Sequence, residues 1–128
     1  MQSLRTLAGL MLAGFISIST THAASGIPES LNLKGGFVVH LGCGDGNLTL
    51  SLRPNSRFQV HGLDANPANV AKARATAKAA GVYGSVSIDQ LRGARLPYID
   101  GMVNLLVAEN LGRVPMAEVM RVLAPEGI

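Results

Sequence analysis

The stretch Phe37-Val38-Val39-His40-Leu41-Gly42-Cys43-Gly44-Asp45-Gly46 decides the fold. Its first half is an unbroken, Val-containing apolar run between Gly36 and Gly42, which suits a strand covered on both faces, as in a parallel sheet. Its second half is a glycine-rich turn, where the backbone can approach a ligand more closely than a Cβ would permit. A second strand candidate, Phe58-Gln59-Val60-His61-Gly62-Leu63, ends at Asp64, twenty residues beyond Gly44. An acid at that spacing is placed to accept hydrogen bonds from the two hydroxyls of a ribose. Loop and acid together describe an adenosine-type ligand lying across the strand ends.

Working outward, Asn66 can cap and Pro67 can open a helix through Val70, Ala71, Ala73, Ala75, Ala77 and Ala80, stopped by Gly81. Lys72, Arg74 and Lys78 read as its solvated face. Residues 82–88 read as a third strand, 101–108 as a fourth and 115–123 as another helix. Strands alternating with helices predict an α/β fold with a Rossmann-like parallel sheet and flanking helices. One segment conflicts with this pattern: Asn47-Leu48-Thr49-Leu50-Ser51-Leu52 alternates polar and apolar with the period of a strand. Two adjacent parallel strands need a crossover between them, so a short helix is assigned there.

A length of 128 residues holds one domain at most, and 48% hydrophobic against 15% charged residues requires a buried core. The net charge of +3 comes from basic residues scattered singly, and aromatics are 4% with no Trp, so no nucleic-acid partner is indicated. The single cysteine, Cys43, excludes an internal disulfide and a multi-cysteine zinc site. It reads as a small residue packed in the glycine turn rather than a nucleophile. His40 and His61 read as satisfied strand residues, and no metal is expected.

The first 23 residues differ in kind. Arg5 precedes an apolar run from Leu7 to Ile18, then Thr21 and Ala23 stand as small residues placed for cleavage after Ala23. The expected organisation is a signal peptide over 1–23, a linker over 24–36 with a flexible Ser25-Gly26-Ile27-Pro28 start, and the domain from 37 to 128. Export or a periplasmic location follows if the leader acts as such, a cytoplasmic one otherwise. Membrane contact is confined to the leader.

The ordered motifs Val38-Val39-His40-Leu41-Gly42-Cys43-Gly44-Asp45-Gly46, Gly62-Leu63-Asp64, Leu96-Pro97-Tyr98 with Met102-Val103-Asn104-Leu105-Leu106-Val107, and Arg121-Val122-Leu123-Ala124-Pro125-Glu126-Gly127 resemble the Rossmann-like (class I) S-adenosylmethionine-dependent methyltransferases. The resemblance implies S-adenosylmethionine as cofactor. It implies that Gly42, Cys43, Gly44 and Gly46 cradle its methionine portion, that Asp64 binds the ribose, and that Asp89 or Gln90 flanks the adenine. In many relatives an acid stands where this chain has Arg92, which leaves Asp89 as the nearest substitute. Acids are also common in the family where His40 and Asn104 stand, both expected near the methionine end. Methyl transfer depends mainly on alignment of a nucleophile with the sulfonium methyl, so no catalytic residue is named. The family's sheet has seven strands, and the motifs here reach about four, so a fragment of the domain is expected and the methyl acceptor is not legible. The alternative readings are a noncatalytic Rossmann-like module of a longer exported protein and, less favoured, a nicotinamide-dependent oxidoreductase. The latter wants glycine where Asn47 stands.

Overall fold

The computed structural model describes residues 26–128; the leader read over residues 1–23 lies outside them. The decisive apolar run forms β1, Gly36–Leu41. It pairs in parallel with β2, Phe58–Asp64, which pairs in parallel with β3, Val86–Gln90. β4, Leu105–Ala108, lies parallel on the other side of β1, giving the order β3-β2-β1-β4.

Successive side chains of a strand point to opposite faces, and here both faces are cores. Val38, Val60, Val86, Ile88 and Leu105 enter one core with Leu52, Val70, Ala73 and Ala77. Val39, Leu41 and Leu63 enter the other with Leu96, Tyr98, Val103, Val114, Val119 and Val122. That is why β1 reads as a continuous rather than an alternating run. Each buried Val, Leu or Ile among them contributes about 1.5–3 kcal/mol relative to exposure.

The crossover between β1 and β2 contains a short helix, α2 (Asn47–Ser51), preceded in the chain by α1 (Ile27–Ser30). The Asp45 carboxylate accepts a hydrogen bond from the Asn47 N–H at 3.0 Å, and Gly46 enters the helix with a left-handed φ of 87°. Thr49 and Leu52, three apart, are buried, while Leu48 and Leu50 are only half-buried. The polar/apolar alternation therefore does not mark the buried face, and the topology argument overrides it. α1 lies in residues expected to be a linker: Pro28 is buried, and Ile27 and Leu33 pack on the first core.

α3, Pro67–Ala79, follows the capping expectation closely, with the Asn66 side chain accepting from Ala68 N–H at 2.9 Å and Val70, Ala73 and Ala77 inward. Arg74 departs from the solvated-face reading, because its Nε donates to the Ile88 carbonyl at 2.9 Å and covers the outer edge of β3. β3 starts at Val86 rather than 82, since Tyr83 to Ser85 are taken up by a turn at Gly84 (φ 112°). β4 starts at Leu105 rather than 101. Val103 instead donates to the Val122 carbonyl, and its own carbonyl accepts from Ala124, at the end of α4 (Met116–Val122). Ile128 continues this edge in the parallel sense, donating to the Asn104 carbonyl and accepting from Leu106 N–H.

β3 is reached from β2 on one side of β1, and β4 lies on the other, so the strand order reverses between β1 and β4. A crevice outside the carboxyl ends of the strands at such a reversal is where open α/β sheets bind ligands.

Candidate functional site

A cleft of about 500 Å³ opens at that reversal point, within the size range of small-molecule sites. Its walls come from four strand ends: Leu41 and Gly42 after β1, Asp64 and Ala65 at β2, Gln90 to Gly93 after β3, and Asn110 to Arg113 after β4. Gly42 brings the start of the glycine turn to one rim. Gly42 and Gly44 have φ of 75° and 56°, and a Cβ built on either would meet nothing within 4 Å. The backbone there is in a conformation that side chains disfavour, with open space beside it. Gly46 has a different reason to be glycine. At φ 87°, its Cβ would lie 2.9 Å from the Ala73 Cα, so its bareness lets α3 press against the loop.

Asp64 is almost buried and holds this arrangement together. One carboxylate oxygen accepts from the Gly44 N–H at 3.0 Å and from Asn69 Nδ2 at 3.3 Å, and the other accepts from the Asn66 N–H at 2.9 Å. A carboxylate offers about four acceptor positions, so Asp64 ties the loop to the start of α3 and keeps acceptor capacity toward the cleft.

Cys43 sits in the turn but is buried, and burial, reinforced by the Asp64 carboxylate, pushes its thiol up to about 11. A thiol held neutral is not a nucleophile at neutral pH. His40 is buried at the end of β1 with Nδ1 at 2.8 Å from the Thr49 hydroxyl. Burial lowers its pKa, against an opposing pull from Glu109 and Asp64.

Two residues lie elsewhere than the sequence suggests. Asn104 lies away from the cleft: it precedes β4 and its Oδ1 accepts from Phe37 N–H at 2.9 Å, at the amino end of β1 and the opposite end of the strands from the cleft. Its spacing from Ala108 puts it one strand length away from the strand ends. Asp89 does not line the cleft either. Its carboxylate pairs with His61 Nε2 at 2.7 Å and Arg74 at 3.0 Å, beside a separate cavity of about 550 Å³ at the β3 edge. Gln90, the next residue, lines both that cavity and the cleft. His61 also meets the Tyr98 hydroxyl through Nδ1, so both ring nitrogens are satisfied. Among the described residues no group of three His, Cys, Asp or Glu side chains is placed to hold a metal ion.

The Asn110–Arg113 wall had no part in the motif reading. The signal available was Gly112 (φ 60°) shortly after β4, the counterpart of Gly42 after β1. The segment that follows this wall is held by Glu118 and Arg121: Glu118 Oε2 accepts from Leu96 N–H at 2.6 Å and from Arg121, which also donates to the Leu96 and Tyr98 carbonyls.

Comparison with known proteins gives a consistent neighbourhood. A family model described as a methyltransferase domain matches residues 38–127. No curated protein matches the chain. Among solved structures, a Methanococcus maripaludis protein assigned as an S-adenosyl-L-methionine-dependent methyltransferase is 22% identical with a TM-score of 0.72, over 82% of this chain and 51% of that one. Geranyl diphosphate C-methyltransferase from Streptomyces coelicolor A3(2), solved with Mg2+, geranyl diphosphate and S-adenosyl-L-homocysteine, is 19% identical with a TM-score of 0.72, over 84% and 43%. The Bacillus subtilis YcgJ protein is 25% identical with a TM-score of 0.63, over 73% and 42%. The chain spans about half or less of the length of each of these structures.

Proposed function

This chain belongs to the methyltransferase-domain family, and from that premise we propose that its strand-end cleft binds S-adenosylmethionine and directs its methyl group to an acceptor. The observation that carries the reading is the convergence of the open glycine turn, the Asp64 carboxylate and the Gln90–Gly93 wall on one cleft at the strand-order reversal. The S-adenosyl-L-homocysteine complex of the Streptomyces structure, which shares this fold, supports the same cofactor.

Gly42, Cys43 and Gly44 hold the methionine portion through bare backbone, with Cys43 contributing main chain while its side chain is spent in the core, and Gly46 seats the turn against α3. Asp64 accepts from the ribose hydroxyls with the acceptor capacity that its three protein donors leave. Gln90 offers both a donor and an acceptor to the adenine edge. Asp89 braces the same strand end from outside through His61 and Arg74. Bound S-adenosylmethionine supplies a methyl on a positively charged sulfur. The chain's own contribution is alignment, which requires no acid or base.

Calorimetric titration of S-adenosylhomocysteine into the full chain, with a nicotinamide dinucleotide as control, tests this reading. Binding confined to the first ligand supports it; no binding, or preference for the dinucleotide, sinks it. The leader reading over residues 1–23 goes with export, membrane contact being limited to that segment. Sequencing the amino terminus of the protein recovered from cell fractions checks it, the expected result being a mature chain beginning at Ala24 outside the cytoplasm.

A further inference from the structure

The Gln90–Gly93 wall belongs to a segment that is pinned at both ends and unsupported between them. At its start, the Leu91 N–H donates to the Asp64 carbonyl at 2.9 Å and Gln90 Nε2 donates to the Ala65 carbonyl at 3.2 Å. At its end, Leu96 is buried with its N–H on Glu118, and Tyr98 is buried with its carbonyl on Arg121. Residues 92–95 are exposed, and among the described residues they make no hydrogen bond. Their path is therefore set by the two ends rather than by contacts of their own.

One imidazole joins those ends. His61, on β2 three residues before Asp64, meets Asp89 through Nε2 at 2.7 Å and the Tyr98 hydroxyl through Nδ1. An ionised carboxylate only accepts, so Nε2 carries the proton and donates to Asp89, while Nδ1 accepts from the Tyr98 O–H. The ring also stands edge-on to Tyr98, with centroids 5.6 Å apart. Arg74 holds the other Asp89 oxygen at 3.0 Å. Asp89 is the residue before Gln90, and Tyr98 lies nine positions further along the chain.

We infer that His61 is a positioning residue for the cofactor: by holding Asp89 and Tyr98 on its two ring nitrogens, it closes the loop from 89 to 98 and fixes the Gln90–Gly93 wall in the form that receives the purine. This rests on the cofactor reading above. Bringing the ends of a loop together carries an entropic cost, and a ligand that meets a loop already closed does not have to supply it. The effect is confined to the purine side, because the glycine turn is held by Asp64 and not by His61.

Two variants of the full chain test this. Tyr98→Phe removes one hydroxyl, and His61→Leu removes both links. Amide relaxation of the labelled, ligand-free variants should show added motion at Leu91, Gly93 and Ala94, with Gly42 and Gly44 unchanged. Calorimetric titration should show S-adenosylhomocysteine and methylthioadenosine, which share the purine and differ at the amino-acid end, weakened by the same factor. That factor is about threefold to tenfold for Tyr98→Phe, the loss of one hydrogen bond, and larger for His61→Leu. A role in stability alone would lower the melting temperature and leave both affinities of the folded variants unchanged, which overturns the inference. Unchanged relaxation at the three loop amides overturns it as well. A loss confined to S-adenosylhomocysteine also overturns it, placing the effect at the amino-acid end. Failure of the unaltered chain to bind either ligand removes the cofactor reading and this inference with it. Circular dichroism of Tyr98→Phe should match the parent, and that variant alone decides the matter if His61→Leu does not fold.

Discussion

The Gly44 amide donates a hydrogen bond to the Asp64 carboxylate at 3.0 Å, joining the turn after β1 to the end of β2 across twenty positions of sequence. The same carboxylate accepts from the Asn66 amide at the start of α3. One side chain therefore fixes loop, strand end and helix relative to one another, and the geometry of the cleft depends on it. Asp64→Ala removes the acceptor of two part-buried amide hydrogen bonds, a change expected to cost about 1–2 kcal/mol. Denaturant unfolding should report that loss, together with loss of S-adenosylhomocysteine binding. A variant that keeps full stability would contradict this account of the loop.

The loop glycines separate stability from binding. Gly46→Ala places a Cβ against α3 at a positive φ, so about 1–2 kcal/mol of backbone strain adds to about 1–3 kcal/mol of overpacking. Gly44→Ala meets open space and carries the backbone strain alone. Thermal melts should therefore rank Gly46→Ala well below Gly44→Ala. Ligand titration of folded Gly44→Ala should show the larger binding defect for its size, since the new methyl group projects beside the cleft.

Cys43 is held neutral by burial, with its thiol near 11. Iodoacetamide at neutral pH should label the native chain far more slowly than the chain in denaturant. Equal rates would mean that the turn opens readily and would undo the packing described for it.

Acid should destabilise the protein through two groups in succession. His40 has its pKa lowered by burial, so folding excludes a proton that the unfolded chain binds near 6.5. Its contribution is complete above that value and declines as pH falls through the lowered one. Glu118, ordinarily near 4.5, is drawn down to about 2 by its hydrogen bonds from Arg121, and its contribution is lost as pH falls from the first value toward the second. Melting temperatures measured from pH 8 to pH 2 should fall in both windows. His40→Asn should flatten the upper window and Glu118→Gln the lower. A flat profile between pH 7 and pH 5 in the unaltered protein would contradict the burial assigned to His40.

Much of this architecture is legible in the sequence where the signal is local. β1, the glycine turn, β2 and the Asn66-capped α3 all appear close to where the residues place them. α2 emerges only from the topology, because Thr49 is buried against His40 while Leu48 and Leu50 are only half-buried, a reversal of side-chain polarity that periodicity cannot register. The displaced residues share one cause. Asn104 answers to Phe37, 67 positions away, and Asp89 to His61 and Arg74, 28 and 15 positions away. Such partners are set by strand order, and strand order is not written in any short window. The Asn110–Arg113 wall is hidden for the same reason, since it borders the cleft only because β4 lies beside β1.

The central claim is that the ligand lies in the cleft between the glycine turn and Gln90 and not in the cavity at the β3 edge. Amide proton–nitrogen correlation spectra of the labelled chain, recorded with and without S-adenosylhomocysteine, test it most directly. The account predicts shifts concentrated on Gly42, Gly44, Asp64, Ala65, Gln90 and Leu91. Shifts confined to His61, Ala71, Arg74 and Asp89, or none at all in a folded protein, would contradict it.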